Sequence, residues 1–114
     1  MNIQKKAINA LILMGAPMKS KGAKYIVESM KIFEESNEWT NVNTMSLYKE
    51  IAKKYGTTAS CVERSIRYLF LKLVSKGSNE YMDKYIGNSR GNTNRLAIFY
   101  IRLKQEAVNE ESIY

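Results

Sequence analysis

The chain has 114 residues, of which 45% are hydrophobic, and its 18 Lys and Arg outnumber 11 Asp and Glu to give a formal net charge of +7. This length fits one domain with its own hydrophobic core. The positive charge favours a polyanionic partner such as nucleic acid, with a solvated basic surface as the alternative. One Cys and no His exclude an internal disulfide and remove the usual zinc ligands and catalytic bases. We therefore expect a cytoplasmic protein without enzyme activity, metal, cofactor or membrane partner.

Apolar residues recur at helical spacing along the chain, and no segment alternates as a strand does. The sequence predicts an all-α fold, a six-helix bundle that contains a helix-turn-helix. A single domain is expected over residues 1–108 and a flexible tail over residues 109–114. In the loop before the third helix, Trp39 is predicted to anchor to the core rather than to stack on bases. The predicted helices cover residues 3–14, 20–35, 44–55, 58–76, 79–86 and 94–108.

The third and fourth predicted helices have the pattern of a helix-turn-helix. Gly56 suits the end of the third helix, where a left-handed residue is wanted. Ala52, Gly56 and Val62 match the small residue, the turn glycine and the buried aliphatic residue of that motif. Gly77 is expected to end the fourth helix.

The start of the fourth helix carries two alternative capping signals. Thr57 or Thr58 is expected to cap it. Ser60 followed by Glu63 offers a second start signal of the capping-box type.

A helical projection gives the fourth helix two different faces. An apolar stripe runs down one side and contains Val62, Ile66, Leu69 and Leu73. The opposite side carries Ser60, Arg64, Arg67 and Leu71. Because a helix fits the major groove and Arg can grip guanine through two hydrogen bonds, Glu63, Arg64 and Arg67 are predicted to contact bases. The alternative is an ordinary solvated face on which Glu63 pairs with Arg67.

Phosphate contacts are expected at the start of the fourth helix and along the third. Hydroxyl side chains at a helix N-terminus can hold a phosphate, and lysines nearby add screened attraction. The predicted phosphate contacts are Thr57, Thr58, Ser60, Lys49, Lys53 and Lys54. Residues 28–38 hold four Glu and one Lys, and we expect this acidic segment to face away from DNA.

The stretch from Ile51 to Arg67, IAKKYGTTASCVERSIR, closely resembles the signature of the C-terminal effector domain of stage 0 sporulation protein A. The resemblance extends to residues 17–30, to the first helix ending in Gly15-Ala16-Pro17, and to Thr93-Asn94. That family is the response-regulator master switch of endospore formation in Firmicutes. The resemblance implies a six-helix bundle of the winged-helix-like superfamily, and binding to DNA elements with the core TGTCGAA, often in tandem.

By position, the resemblance aligns Glu63, Arg64 and Arg67 with recognition-helix residues that face DNA. It aligns Ser60 and the Thr57-Thr58 turn with the phosphate-contacting start of that helix. Cys61 stands where the family has an arginine that also contacts DNA, so weakened or altered recognition is expected.

Two further departures concern other parts of the family pattern. The loop over residues 87–92 is shortened and the residues after Asn94 diverge. These regions bear on contacts with RNA polymerase and on self-association at tandem sites. The family's receiver domain has no counterpart in these 114 residues. We interpret the chain as a stand-alone regulator that occupies related boxes constitutively, with an excised domain as the alternative.

These observations predict a sequence-specific, double-stranded DNA-binding transcription regulator of sporulation, without enzyme activity. The alternative is a protein-interaction module that keeps the bundle but has lost specific DNA binding. Such a module would bind RNA polymerase or pair with a relative. Salt dependence separates the two, because specific DNA binding weakens steeply as salt rises.

Overall fold

The computed structural model describes residues 2–76 and 79–112, with side chains up to residue 110. Within these residues the fold consists of α-helices and one 3₁₀ turn with no strand, which confirms the predicted all-α class. The elements are α1 (Ile3–Met14), α2 (Lys21–Glu35), the 3₁₀ turn (Trp39–Asn41), α3 (Thr44–Tyr55), α4 (Ala59–Ser75), α5 (Glu80–Tyr85) and α6 (Asn92–Ser112).

The last helix differs most from its predicted bounds. It begins at Asn92 rather than residue 94 and continues to Ser112 rather than ending at residue 108. Its buried stripe continues through Ala107, and Glu110 pairs with Lys6 on α1 at 2.5 Å. These contacts extend the helix across a segment whose polar sequence indicated an end. Ile113 and Tyr114, the last residues of the predicted flexible tail, and Gly77, the predicted stop of α4, lie outside the described residues.

Polar caps explain where the helices begin. α1 to α5 each follow an Asn, Ser or Thr whose side-chain oxygen accepts a hydrogen bond from a backbone N–H of the first turn. This bond satisfies one of the donors that a helix start leaves without an intrahelical partner. The capping residues are Asn2, Ser20, Asn43, Thr58 and Asn79.

The core is organised around α4, against which α2 and α3 pack. Phe70 of α4 is fully buried at the centre of this packing. The approach of α2 is very close, since a Cβ on Gly22 would lie 2.5 Å from the Ser65 carbonyl oxygen and 2.9 Å from Leu69 Cβ. Only glycine leaves room for the two backbones at this crossing. The first turn of α2 is therefore held directly beside the middle of α4.

An aromatic cluster joins α2, the 3₁₀ turn and α6. The Trp39 ring lies 5.7 Å from Phe33 and 4.9 Å from Tyr100, measured between ring centroids. Edge-on contacts at this separation are favourable between aromatic rings. Trp39 thus anchors the connection between α2 and α3 to the core, as predicted, instead of projecting towards solvent.

Several charged side chains on and around α6 form ion pairs with partners on other helices. Glu34 accepts hydrogen bonds from the Tyr100 hydroxyl at 2.6 Å and from Lys104 Nζ at 3.0 Å. Glu106 accepts from the Tyr85 hydroxyl at 2.6 Å and pairs with Lys84 at 2.8 Å. We call this set the paired-charge region; its ionic members are Lys6, Glu34, Lys84, Lys104, Glu106 and Glu110.

Among the described helices, none combines the length and the apolar character needed to cross a membrane.

Candidate nucleic-acid interface

The connection between α3 and α4 is a tight turn of Gly56, Thr57 and Thr58. Gly56 has φ 65°, in the left-handed region that favours glycine. The backbone N–H of Thr57 donates to the Ala52 carbonyl at 2.9 Å, and Thr58 Oγ1 accepts from the backbone N–H of Cys61 at 3.1 Å. The turn glycine is therefore confirmed, and Thr58 is the cap of the two that the sequence allowed.

The second predicted start signal, Ser60 with Glu63, is wrong. Ser60 lies inside the first turn of α4, which has already begun at Ala59. The N-cap position is occupied by Thr58, so Ser60 has no free helix start to cap. The Ser60 side chain is instead exposed at the N-terminal end of α4.

The two faces of α4 separate as predicted. The inner face is buried against the core and carries Val62, Ile66, Leu69, Phe70 and Leu73. The outer face is exposed to solvent and carries Ser60, Arg64, Arg67 and Leu71. Burying an apolar seam of this kind fixes the rotation of a helix, because turning it would expose several large side chains at once. The fold thus holds the arginines of α4 outwards.

Arg67 and Glu63 form an ion pair one turn apart on α4. Arg67 Nη1 lies 3.2 Å from Glu63 Oε1, and the side chains are 46% and 34% exposed. The pairing that the sequence left as an alternative is therefore present in the free chain. Such an exposed pair contributes little stability and is readily exchanged for another partner. Arg64 makes no ion pair within residues 2–76 and 79–112 and stays exposed.

The three lysines assigned to phosphate contacts on α3 are not equivalent. Lys49 and Lys53 are exposed, and neither forms an ion pair within the described part of the chain. Lys54 turns towards α2, where its Nζ lies 2.5 Å from Oε1 of the buried Glu28. The Tyr55 hydroxyl donates to the same Glu28 oxygen at 3.3 Å. The hydrogen bond that Lys54 donates to the Glu28 carboxylate raises the pKa of Lys54, and the carboxylate offsets its positive charge.

Cys61 lies near the start of α4, beside the outer face. A hydrogen bond with the Thr57 hydroxyl lowers the pKa of the Cys61 thiol, and the nearby cations Lys21 and Arg64 act in the same direction. The thiol is partly exposed and forms no disulfide. Thr57 and Cys61 thus lie together at the N-terminal end of α4.

A groove of about 700 Å³ lies along one side of α4, and sequence reasoning missed the residues that complete it. Arg90 and Arg95 come from the α5–α6 loop and the first turn of α6 and line the groove together with Arg67. The Asn92 side-chain amide donates to the Glu63 carbonyl at 3.0 Å, which ties α6 to α4. Arg95 and Arg67 are far apart in the sequence, so no local pattern indicated that they would meet.

A family model described as sporulation initiation factor Spo0A C terminal matches residues 7–104. The match runs from the first turns of α1 to the middle of α6 and includes the whole helix-turn-helix. It also covers the loop over residues 87–91 and α6 as far as Lys104. Nearly the whole chain is therefore accounted for by one family. The chain belongs to the Spo0A C-terminal family, the DNA-binding effector domain of a transcription regulator of sporulation.

Proposed function

We propose that this domain reads a TGTCGAA-like element in double-stranded DNA by placing α4 in the major groove. The observation that carries the proposal is the outward position of Arg64 and Arg67, opposite a fully buried seam. A helix of this diameter fills the major groove, and its exposed N-terminal half reaches the base edges. The natural setting of this activity is transcription regulation in the cytoplasm.

The base contacts would come from Glu63, Arg64 and Arg67. Each arginine can donate two hydrogen bonds to the O6 and N7 acceptors of a guanine, and Glu63 can accept from a cytosine amino group. The element TGTCGAA presents guanines on both strands and a central C·G step. In the free chain Glu63 holds Arg67 in an exposed ion pair, which keeps the guanidinium extended along the outer face. On DNA, Arg67 would exchange that carboxylate for a guanine.

Phosphates would be held at the N-terminal end of α4 and on α3. Thr57, Thr58 and Ser60 lie at the N-terminal end of α4, where backbone N–H groups and the helix dipole attract an anion. Lys49 and Lys53 add unpaired positive charge on α3. Lys54 contributes less than the sequence implied, because its charge is held by Glu28.

Self-association on tandem sites and contact with RNA polymerase belong to the same proposal. Both rest on membership of the family, and no contact between the described residues bears on either.

A protein-interaction module remains the alternative, and one observation favours it. The C-terminal half of α4 exposes three large apolar side chains, Tyr68, Leu71 and Val74. Exposed apolar side chains that form one patch are typical of surfaces that bind another protein. Under this alternative, the N-terminal half of α4 would show only weak attraction to any DNA sequence.

The decisive experiment is selection of bound duplexes from a random pool by the wild-type domain, Arg64→Ala and Arg67→Ala. The proposal expects an enriched TGTCGAA-like motif with the wild type, and each substitution should relax a different position by about 1–3 kcal/mol. Lys104→Ala is the matched control, because Lys104 lies in the paired-charge region. Enrichment of no motif, or equal affinity for a scrambled duplex, would contradict the proposal and favour the interaction module.

A further inference from the structure

Two basic flanks lie on either side of the outer face of α4, and each includes a residue from outside the helix-turn-helix. The first flank is formed by Lys21 of α2 together with Lys72 at the end of α4. The second flank is Arg90 in the loop before α6, and Arg95 of α6 holds that loop in place. The local sequence of α4 predicts neither Lys21 nor Arg90, since both reach it only through tertiary packing.

The first flank is positioned by the close crossing of α2 and α4. Because Gly22 leaves no room for a Cβ above the Ser65 carbonyl, the preceding residue Lys21 is held at the edge of α4. Lys21 and Lys72 line a shallow groove of about 300 Å³ beside Tyr68, and no carboxylate lines it. Both lysines are exposed and form no ion pair within the described residues. Their charges are therefore available to an external anion.

The second flank is positioned by three hydrogen bonds between helices and the loop. Asn92 Nδ2 donates to the Glu63 carbonyl, and the hydroxyl groups of Thr93 and Thr44 lie 3.0 Å apart, which fixes the start of α6 on α3 and α4. Arg95 Nε donates to the Ser89 carbonyl at 3.1 Å and holds the loop from within. The loop is thereby held beside α4 with Arg90 exposed on it.

The groove lined by Arg67, Arg90 and Arg95 carries a net positive charge even when its carboxylate is counted. Glu63 is the one carboxylate that lines it among the described residues, and it is already paired with Arg67. Arg90 has no ion-pair partner within residues 2–76 and 79–112, and Arg95 is buried, with its guanidinium 5.9 Å from the Phe70 ring. Arg90 is consequently the exposed cation of this flank, and Arg95 is a positioning residue for the loop.

We infer that the two flanks bind phosphates on opposite strands, one on each wall of the major groove that α4 enters. This inference rests on the proposed function and adds to it the contacts that orient the domain. The major groove is about 12 Å wide, and a helix with its side chains is about 10–12 Å across. The two phosphate backbones must then run just beyond the two sides of α4, where Lys21 and Arg90 stand. Such contacts set register and affinity without reading bases.

The first test is the salt dependence of binding for Lys21→Gln and Arg90→Gln. Each variant should lower the slope of log K against log salt by about 0.9, because one phosphate contact is lost. Affinity should fall by the same factor on the TGTCGAA duplex and on a scrambled duplex. Lys5→Gln is the matched control, since it removes an equally exposed charge from α1. A slope like that of the wild type, or an equal change in Lys5→Gln, would overturn the inference.

The second test maps the strands by phosphate ethylation interference on the TGTCGAA duplex. The wild type should show interference on both strands beside the element. Lys21→Gln should remove it from one strand and Arg90→Gln from the other. Loss on the same strand in both variants, or in neither, would overturn the inference while leaving motif selection by Arg64 and Arg67 intact. Failure of the proposed function would show instead as the absence of any enriched motif in the wild type.

Discussion

Charges are handled in opposite ways in the paired-charge region and on the outer face of α4. Around α6, each glutamate of the region is matched by a lysine from another helix, and Tyr85 and Tyr100 add hydrogen bonds. On the outer face, Arg64 stands unpaired, and Arg67 is held only by an exposed pair within its own helix. The first arrangement joins helices, whereas the second leaves cations available to a partner.

This contrast shows that the net charge of +7 is less informative than its distribution. Exposed ion pairs contribute little to stability, but they cancel local potential. Pairing around α6 offsets the charges there, whereas Arg64 on α4 and Lys21 and Arg90 beside it stay exposed without an ion pair among the described residues. Two glutamates of the acidic segment over residues 28–38 take part in this pairing, since Glu34 pairs with Lys104 of α6 and the buried Glu28 with Lys54.

Gly22→Ala should have the largest effect, because it disturbs the crossing of α2 and α4 that holds Lys21 beside the outer face. The added methyl group meets a backbone oxygen that cannot move aside, so we expect about 1–3 kcal/mol of destabilisation. Urea unfolding followed by fluorescence of Trp39, the one Trp of the chain, measures this. Lys21→Ala is the control, since it changes the neighbouring exposed residue and should leave stability nearly unchanged. A wild-type midpoint for Gly22→Ala would show that α2 can retreat without cost.

Cys61→Arg should increase the difference between the two regions, because it adds an unpaired cation beside the outer face of α4. The resemblance described above implies an arginine at this position, and an added base contact is worth about 1–3 kcal/mol of discrimination. We expect tighter binding to the TGTCGAA duplex than to a scrambled duplex, measured by fluorescence anisotropy. Cys61→Ser separates the loss of the thiol from the gain of the charge. An equal gain on both duplexes would mean that the arginine reaches only phosphate.

Acid should weaken the paired-charge region, because its ion pairs need ionised carboxylates. The Tyr100 hydroxyl and Lys104 hold the pKa of Glu34 below its ordinary value of 4.5. A lowered folded-state pKa contributes stability above the ordinary value, and this contribution is lost as pH falls towards the folded pKa. On acidification, the free energy of unfolding should therefore fall less in Glu34→Gln than in the wild type. The difference should be less than about 1 kcal/mol, since Glu34 is partly exposed.

The measurement for Glu34 is urea unfolding at neutral pH and at about pH 3, followed by Trp39 fluorescence. Glu35→Gln is the control, because Glu35 is the next residue and forms no ion pair within the described part of the chain. If the free energy of unfolding has the same pH dependence in Glu34→Gln and the wild type, Glu34 does not contribute to the loss of stability in acid.

The smallest expected effect distinguishes the adjacent residues Lys53 and Lys54. Lys53→Gln should lower the salt-dependence slope of DNA binding by about 0.9, as expected for a lost phosphate contact. Lys54→Gln should change the slope little, because Glu28 already neutralises Lys54. Titration of DNA binding between about 50 and 200 mM salt resolves the difference. Equal slopes for the two variants would show that Lys54 leaves Glu28 when DNA is bound.

Local features of the sequence were sufficient to predict the helices and the two faces of α4. The predicted ends of α1 and α3 agree with the structure, because Gly15 and Gly56 supply left-handed stops and the apolar spacing is regular. The end of α6 was predicted too early, because its last turns are supported by contacts with α1 rather than by their own sequence.

The sequence by itself determined that the chain is helical, that α4 turns Arg64 and Arg67 outwards, and that its stretch from Ile51 to Arg67 resembles one family. These properties depend on spacing within one or two turns, which sequence records directly. Only the tertiary structure decided that Lys54 is held by Glu28 and that Arg90 stands beside α4. Both outcomes join residues that lie far apart in the sequence, and the direction of a long charged side chain follows from the partner that packing brings within reach.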